Sequence, residues 1–213
     1  MTEERVEKIN QVLDFRQENL TVILENVFDP HNIAAVMRTA DAVGVKEMYI
    51  VNTILPTYKQ FGKRSSSGAI NWMMIHEFTN LEDCITAVRK KYNKIYSTHL
   101  GTDSVTMHEL NLIDSVALAF GNEQKGLTAA FLAHSDGNFI IPQVGMIQSL
   151  NISVACAVSL YEAYRQKNVV GHYKQRSLSQ AGENELVQFW NDRPKREKEI
   201  REANVNWEKR KGV

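Results

Sequence analysis

Three segments of the chain carry polar side chains of the kinds that bind ligands or move protons. They are residues 25–40, residues 118–126 and residues 140–155. In each, an apolar run typical of a buried strand leads into a turn with amide, carboxylate or hydroxyl side chains. Turns of this kind lie at the carboxyl edge of an open α/β sheet, where such folds bind ligands. The sequence therefore predicts a site for a polar ligand at that edge.

The first segment contains Asn32 and Arg38, and each has an ordinary structural explanation. Asparagine is a strong N-cap, so Asn32 could simply begin a helix. Arg38 lies six residues further on, about 240° around a helix that turns by ~100° per residue, and therefore faces another side. A lone arginine among small apolar residues is more often a surface residue than a catalyst. Taken alone, this segment does not define a site.

The other two segments are equally ambiguous when each is taken alone. Residues 121–126 place Glu123 in a glycine turn, which could be an ordinary polar turn. In the third segment Ser149 is a plausible N-cap, and Asn151 lies in the first helical turn. Small polar side chains at a helix N-terminus suit a polar ligand, although capping explains Ser149 equally well.

Common cofactor and metal patterns are missing from the sequence. The 11 glycines form no G-x-G-x-x-G. Residues 121–128 approach the phosphate-binding loop G-x-x-x-x-G-K-[ST], but Leu127 replaces its lysine, and we therefore exclude a P-loop nucleotide hydrolase. The six histidines include no i, i+4 pair and have no cysteine at zinc spacing, so we expect no metal site.

The elements that must position these segments follow from the pattern of apolar runs. Strand-like runs alternate with helix-like ones, which predicts an α/β fold with a mostly parallel sheet flanked by helices. The predicted strands are Thr21–Glu25, Glu47–Val51, Trp72–Phe78, Lys94–Thr98, Val116–Phe120 and Asn138–Ile141. The predicted helices are His31–Val43, Leu81–Tyr92, Gly126–His134 and Leu150–Gln166, besides one within residues 1–19. Between residues 52 and 71 we expect a long loop, which is often functional.

Length and composition restrict the class of protein. A chain of 213 residues suits one domain with short extensions. Its 25 basic and 25 acidic residues exclude a globally electropositive nucleic-acid binder, although residues 193–211 hold eight basic residues against four acidic ones. Two distant cysteines, no apolar run long enough to span a bilayer and no signal-peptide pattern predict a cytoplasmic protein without membrane contact.

Taken together and in order, the three segments resemble the motifs of the SpoU-type RNA 2′-O-ribose methyltransferases of the SPOUT superfamily. The motifs are N-x-x-x-x-x-R-T-A at Asn32–Ala40, G-N-E-x-x-G at Gly121–Gly126 and I-P-Q-x-G-x-x-x-S-L-N-x-S-x-A at Ile141–Ala155. The resemblance covers roughly residues 20–168. It implies a SPOUT domain there, with a deep trefoil knot in its C-terminal portion, between an N-terminal helical extension (1–19) and a C-terminal basic helical extension (169–213).

The resemblance also implies the cofactor and the roles of individual residues. The family binds S-adenosylmethionine in the knot, and the corresponding contacts here are Thr98, Gly121, Ile141 and Leu150. The catalytic arginine corresponds to Arg38, and the other polar catalytic positions to Asn32, Glu123, Ser149 and Asn151. Phosphate contacts to RNA could come from the C-terminal basic segment and from His31, Lys63, Arg64, Arg165 and Arg176, in which case binding should weaken with salt.

The implied reaction transfers a methyl group from the sulfonium of S-adenosylmethionine to the 2′-hydroxyl of a ribose. The short flanks favour the tRNA guanosine methyltransferases of the family, with guanosine 18 of the D-loop as the target; ribosomal RNA or another tRNA ribose is the alternative. A non-catalytic RNA-binding module is disfavoured by the joint presence of Arg38, Asn122, Glu123, Ser149 and Asn151. Family members generally work as homodimers in which the partner completes each site. The helix at 150–164 could be that interface or plain core, and we expect no DNA partner.

Overall fold

One parallel β-sheet organises the chain. The computed structural model describes residues 3–55 and 68–195. Its strands are β1 (Leu20–Glu25), β2 (Glu47–Val51), β3 (Met74–Phe78), β4 (Lys94–Thr98), β5 (Val105–Thr106), β6 (Val116–Phe120) and β7 (Gly137–Ile140). Within the described residues these seven strands form one sheet in the order β3-β2-β1-β6-β4-β7-β5, and every neighbouring pair is parallel. The predicted parallel sheet is confirmed, while the trefoil knot stays a prediction.

Helices follow most of the strands. They are α1 (Glu3–Phe15), α2 (Pro30–Ala42), α3 (Leu81–Arg89), α4 (Ala129–Leu132), α5 (Ile152–Val169) and α6 (Gln180–Asn191), with short 3₁₀ turns at Ala69–Asn71 and Met107–Glu109. The chain divides after Leu178 into two compact units, of which the first holds the sheet and α1–α5 and the second holds α6. The predicted domain boundaries at residues 19/20 and 168/169 stay predictions. None of the described helices has the length and hydropathy needed to cross a membrane.

Both faces of the sheet are covered, which explains why its central strands are continuous apolar runs. Along β1, Val22 and Leu24 belong to a core cluster shared with α2 and α5. Ile23, between them, points to the other face and packs in a cluster with residues of α3 and α4. The alternation of side chains along a strand therefore fills two separate cores from one run of sequence.

Some predicted elements differ from the observed ones. Helix α4 begins at Ala129, not at Gly126, because Gly126 has a positive φ of 69° and Thr128 is the N-cap. The two-residue edge strand β5 was not predicted. Helix α6 lies within the helical extension expected at residues 169–213, but before the helix expected after Pro194. The basic helix expected after Pro194 lies almost wholly in residues 196–213, and much of the expected loop lies in 56–67; both stretches are outside the described residues.

A buried carboxylate, Glu47, lies at the amino end of β2 and is 1% exposed. Its Oε1 accepts hydrogen bonds from the hydroxyls of Tyr49 (2.9 Å) and Tyr92 (3.1 Å). Its Oε2 lies 3.0 Å from Nε2 of His76 and 2.8 Å from Nζ of Lys91. Burial alone would raise the pKa of Glu47, but His76 and Lys91 outweigh it and lower the pKa from 4.5 to about 2. The ionised carboxylate therefore stabilises the fold.

We expect Glu47→Gln to destabilise the protein by about 3 kcal/mol at neutral pH, the equivalent of this pKa difference. Because the folded pKa lies below the unfolded one, the contribution is complete above about pH 5 and is lost as the pH falls from there towards 2. Urea unfolding of wild type and variant at neutral pH and at about pH 3 measures this loss. A difference between the two proteins that is equally large at both pH values would contradict the prediction.

Candidate active site

The carboxyl ends of two neighbouring strands bring the first and second polar segments together. Strands β1 and β6 pair in parallel, with Leu24 opposite Phe120. The segment after β1 leads through Phe28 and Asp29 into α2, and the segment after β6 is the glycine turn at residues 121–126. Both turns therefore begin side by side at the edge where the sequence predicted a ligand site.

Glu123 lies in the glycine turn and contacts the segment after β1. Its Oε2 accepts a hydrogen bond from the N–H of Phe28 (3.0 Å), and its Oε1 accepts from the N–H of Asp29 (3.3 Å) and from Nδ2 of Asn32 (2.9 Å). Burial raises the pKa of Glu123, but these hydrogen bonds outweigh it and lower the pKa below its ordinary value. Glu123 is therefore a fixed carboxylate and a weak proton acceptor at neutral pH.

Asn32 connects Glu123 to the third segment. While its Nδ2 donates to Glu123, its Oδ1 accepts from Nδ2 of Asn151 (3.1 Å). The Oδ1 of Asn151 accepts in turn from the N–H (2.8 Å) and the hydroxyl (2.6 Å) of Ser153. Both the nitrogen and the oxygen of the Asn32 side-chain amide are thus hydrogen-bonded, which fixes the orientation of the amide. We call Asn32, Glu123 and Asn151 the polar cluster; it joins the glycine turn to the first turns of α2 and α5.

The helix caps differ from those expected. Asp29, and not Asn32, is the N-cap of α2; its carboxylate accepts from the N–H of His31 (2.8 Å). Asn151, and not Ser149, is the N-cap of α5. The Asp-Pro pair at the start of α2 was a usable signal, because proline is favoured at the first helical position. Since Asp29 caps the helix, the side chain of Asn32 is available to bind Glu123.

The glycine turn is closed by its own backbone. The N–H of Asn122 donates to the carbonyl of Gly126 (3.0 Å), and the N–H of Gly126 donates back (2.8 Å). The Oδ1 of Asn122 accepts from the N–H of Gln124 (2.9 Å) and of Lys125 (3.2 Å). Gly121 enters this turn so closely that a Cβ there would lie 2.1 Å from the Gly126 carbonyl carbon and from the Leu127 nitrogen. Only glycine fits at this position.

Two predicted catalytic residues form no hydrogen bond with the polar cluster. Arg38 is exposed on α2 and makes no hydrogen bond or ion pair with any residue that the structure describes. It lies seven residues after His31, and therefore on the same exposed side of the helix. Ser149 is exposed too, and it has no hydrogen bond within the described part of the chain. The structure thus joins Asn32, Glu123 and Asn151 by hydrogen bonds, while the catalytic roles of Arg38 and Ser149 stay predictions.

Comparison with known proteins identifies the family. Residues 19–161, more than half of the chain, match the SpoU rRNA Methylase family. The chain belongs to this family.

Individual SpoU relatives agree in sequence and in fold. A tRNA (guanosine(18)-2′-O)-methyltransferase of Thermus thermophilus is 40% identical over 174 residues, which are 81% of this chain and 88% of that protein. The crystal structure of the A. aeolicus TrmH/SpoU tRNA modifying enzyme superposes with a TM-score of 0.81 at 31% identity, covering 89% of this chain and 96% of that one. An AdoMet-bound rRNA methyltransferase from Sinorhizobium meliloti is similar at a TM-score of 0.62 and 30% identity, covering 73% and 59%.

The four predicted donor contacts of this SpoU methylase follow neighbouring strands or precede α5. Thr98 ends β4, Gly121 follows β6, Ile141 follows β7 and Leu150 precedes α5 by two residues. Because β6, β4 and β7 are adjacent and parallel, Thr98, Gly121 and Ile141 lie at one edge of the sheet. The loop at residues 142–149 is exposed, and its backbone forms no hydrogen bond with the described residues. Its N–H and carbonyl groups are therefore available to a ligand.

The predicted RNA contacts of this SpoU methylase are dispersed. His31 is exposed at the start of α2. Arg165 donates to both carboxylate oxygens of Glu162 (2.8 and 2.7 Å), and Arg176 pairs with Asp14 (2.8 Å). Lys63 and Arg64 lie outside the described residues. A role in RNA binding stays a prediction for all five, and Arg165 and Arg176 would have to share or exchange their carboxylate partners.

Proposed function

We propose that this chain is an S-adenosylmethionine-dependent tRNA methyltransferase that acts in the cytoplasm on the ribose 2′-hydroxyl of guanosine 18. The observation that carries the proposal is the polar cluster, which gathers side chains 91 and 119 residues apart at the carboxyl edge of the sheet. The substrate is supported by the Thermus thermophilus relative, a tRNA (guanosine(18)-2′-O)-methyltransferase of which the chain covers 88%.

The residues at the sheet edge fit S-adenosylmethionine. The loop at residues 142–149 offers backbone donors and acceptors without partners among the described residues, as a nucleoside and an amino-acid group require. Ile141 and Leu150 flank that loop with half-buried apolar side chains. Thr98, Gly121, Ile141 and Leu150 would hold the molecule, and the S. meliloti relative has been crystallised with it bound. When bound, it supplies an electrophilic methyl group.

We assign Arg38 the role of a cation that binds phosphate and stabilises the alkoxide as the ribose hydroxyl loses its proton. Neutral arginine as a base would cost more than about 7 kcal/mol at pH 7. Arg38 is exposed and has no carboxylate partner within the described residues, so its planar donor fork is available to a phosphate. Glu123 already accepts three hydrogen bonds and, together with Asn151, holds Asn32 in place. The hydroxyl proton is lost late, to water or to a phosphate oxygen, as the bond between the ribose oxygen and the methyl group forms.

We further propose that the protein is a homodimer whose interface includes the outer side of α5. Val154, Val158 and Tyr161 are exposed there at spacings of four and three residues, which places them on one stripe of the helix. The opposite side of α5, with Cys156, Leu160 and Ala163, is buried in the core. The helix thus combines core packing with an exposed apolar stripe of the kind that marks protein interfaces.

Val158→Glu should convert the dimer to a monomer, because a charge in an apolar interface has no partner there. Sedimentation at micromolar concentration measures the mass of the particle. The matched control is Thr86→Glu, which puts the same charge on an exposed position of α3. A wild-type protein that sediments as a monomer, or a Val158→Glu variant that stays dimeric, would refute this interface.

The activity is tested with a labelled methyl donor and three substrates: an unmodified tRNA transcript, the same tRNA with 2′-deoxyguanosine at position 18, and ribosomal RNA. We expect label in the first only. A tRNA with 2′-deoxyguanosine at a neighbouring D-loop position is the control and should be labelled normally. Label in ribosomal RNA or elsewhere in the tRNA would change the substrate, and no label in any RNA would indicate a non-catalytic binding module.

A further inference from the structure

A second buried carboxylate, Glu25, is the last residue of β1 and lies next to the glycine turn at residues 121–126. Glu25 is 1% exposed and forms no ion pair with any described basic residue. Its Oε2 accepts from the N–H of Thr128 (2.7 Å), and its Oε1 accepts from the hydroxyl of Thr128 (2.6 Å). A buried carboxylate without a cation is costly unless hydrogen bonds compensate it. Here both hydrogen bonds come from Thr128, and Glu25 therefore fixes the position of Thr128.

Thr128 lies just beyond the glycine turn that carries Glu123. Its hydroxyl also accepts from the N–H of Phe131 (3.1 Å) as the N-cap of α4. Glu25 thus fixes the point at which the chain leaves the turn and enters the helix.

The next residue, Asn26, holds the other end of the turn. Its carbonyl accepts from Nδ2 of Asn122 (2.8 Å). Asn26 has a φ of 51°, a left-handed conformation that asparagine tolerates better than most residues. Its own Oδ1 accepts from the N–H groups of Thr53 (2.9 Å) and Ile54 (3.1 Å), which fixes the peptide. Glu25 and Asn26 are consecutive residues, and they therefore hold the two ends of the segment 122–128 by hydrogen bonds.

We propose that Glu25 is a positioning residue for methyl transfer: through Thr128, and together with Asn26, it holds the glycine turn so that Glu123 reaches Asn32. This inference rests on the proposed function, since it assigns Glu25 to the same reaction. Because Glu25 is buried, we expect it to contact neither substrate nor donor. It acts on the rate only through the geometry of Glu123, because small displacements of groups that orient reactants cost large factors in rate.

The test is a double-mutant cycle with Glu25→Gln and Thr128→Val, read out as the single-turnover rate at saturating tRNA and donor. Each single variant should lower the rate by about tenfold to a hundredfold. The double variant should be no slower than the slower single variant, because both changes remove one interaction. Thr128→Ser keeps the hydroxyl and should restore a rate close to that of wild type. If Glu25→Gln does not fold, the two Thr128 variants decide by themselves, since Thr128 is exposed.

The matched control is Glu47→Gln, which removes an equally buried carboxylate at the opposite end of the neighbouring strand β2. It should lower thermal stability yet leave the single-turnover rate unchanged well below its melting temperature. A Glu25→Gln protein that melts lower but reacts at the wild-type rate overturns the inference, and so do rate losses that simply add in the double variant.

Hydrogen exchange separates this inference from the proposed function. The backbone amides of residues 122–128 should exchange faster in Glu25→Gln and Thr128→Val than in wild type, whereas those of α3 should not change. This holds whether or not the protein methylates tRNA. If wild type transfers no methyl group to RNA, the proposed function alone is refuted. If the amides of residues 122–128 exchange at the wild-type rate in both variants, the inference that Glu25 holds this segment is refuted.

Discussion

Replacement of Arg38 by alanine should lower the single-turnover rate of methyl transfer by about a hundredfold to a thousandfold, the usual loss when one preorganised group that stabilises developing negative charge is removed. Binding of S-adenosylmethionine should not change, because Arg38 is not among the four residues assigned to the donor, which are Thr98, Gly121, Ile141 and Leu150. Arg38→Lys keeps the charge but not the planar fork. We expect it to recover at least about tenfold of the lost rate, since a single charge still favours the alkoxide.

Lys90→Ala is the control for this experiment, because it removes an exposed cation at the end of α3. Its rate and its affinity for tRNA should equal those of wild type. The rate of methyl transfer and the affinity for tRNA are measured separately for wild type and the three variants. This distinguishes an effect on the chemical step from an effect on binding. If Arg38→Lys is as slow as Arg38→Ala while both bind tRNA normally, a positive charge alone is insufficient and the role assigned to Arg38 is wrong.

The sheet was predictable from sequence because its signal is local. β2, β4 and β6 have the predicted bounds, since each is a short run closed by polar or turn residues. The edge strand β5 has only two residues, Val105 and Thr106, and no periodicity can be read from so short a stretch. The start of α4 was misplaced because Gly126 and Leu127 look compatible with a helix, whereas the pairing of Asn122 with Gly126 requires a turn.

The polar cluster was only partly predictable, because its contacts join residues distant in sequence. The motifs identified Asn32, Glu123 and Asn151 but assigned Asn32 a capping alternative that Asp29 fulfils instead. The Asp-Pro pair was a local signal for that cap, but the partners of Asn32 depend on where the second and third segments lie in space, and local sequence does not contain that information. Glu25 was not identified at all, since a glutamate at the end of an apolar run has no pattern that reveals its partner 103 residues away.

Gly121→Ala should disrupt the glycine turn and with it donor binding. The added methyl group would lie 2.1 Å from the carbonyl carbon of Gly126 and the nitrogen of Leu127 and 2.3 Å from the Gly126 oxygen. Since these are backbone atoms, the turn itself must move, and Asn122 must lose its paired hydrogen bonds with Gly126. We expect a loss of about 3 kcal/mol in stability, as for severe overpacking. Donor affinity should fall by about a hundredfold or more, because misplaced backbone leaves its polar groups unpaired with the ligand.

Two alanine variants separate the clash from other effects of losing a glycine. Gly126→Ala has open space for its methyl group but a left-handed φ of 69°, so it should cost only about 1–2 kcal/mol. Gly137→Ala in β7 meets only the ring of Tyr96 at 3.4 Å and should bind the donor as wild type does. Calorimetry with S-adenosylmethionine and thermal unfolding of the three variants give both quantities. Normal donor affinity in Gly121→Ala would mean that the turn does not contact the donor, because no backbone at this position accepts a side chain without moving.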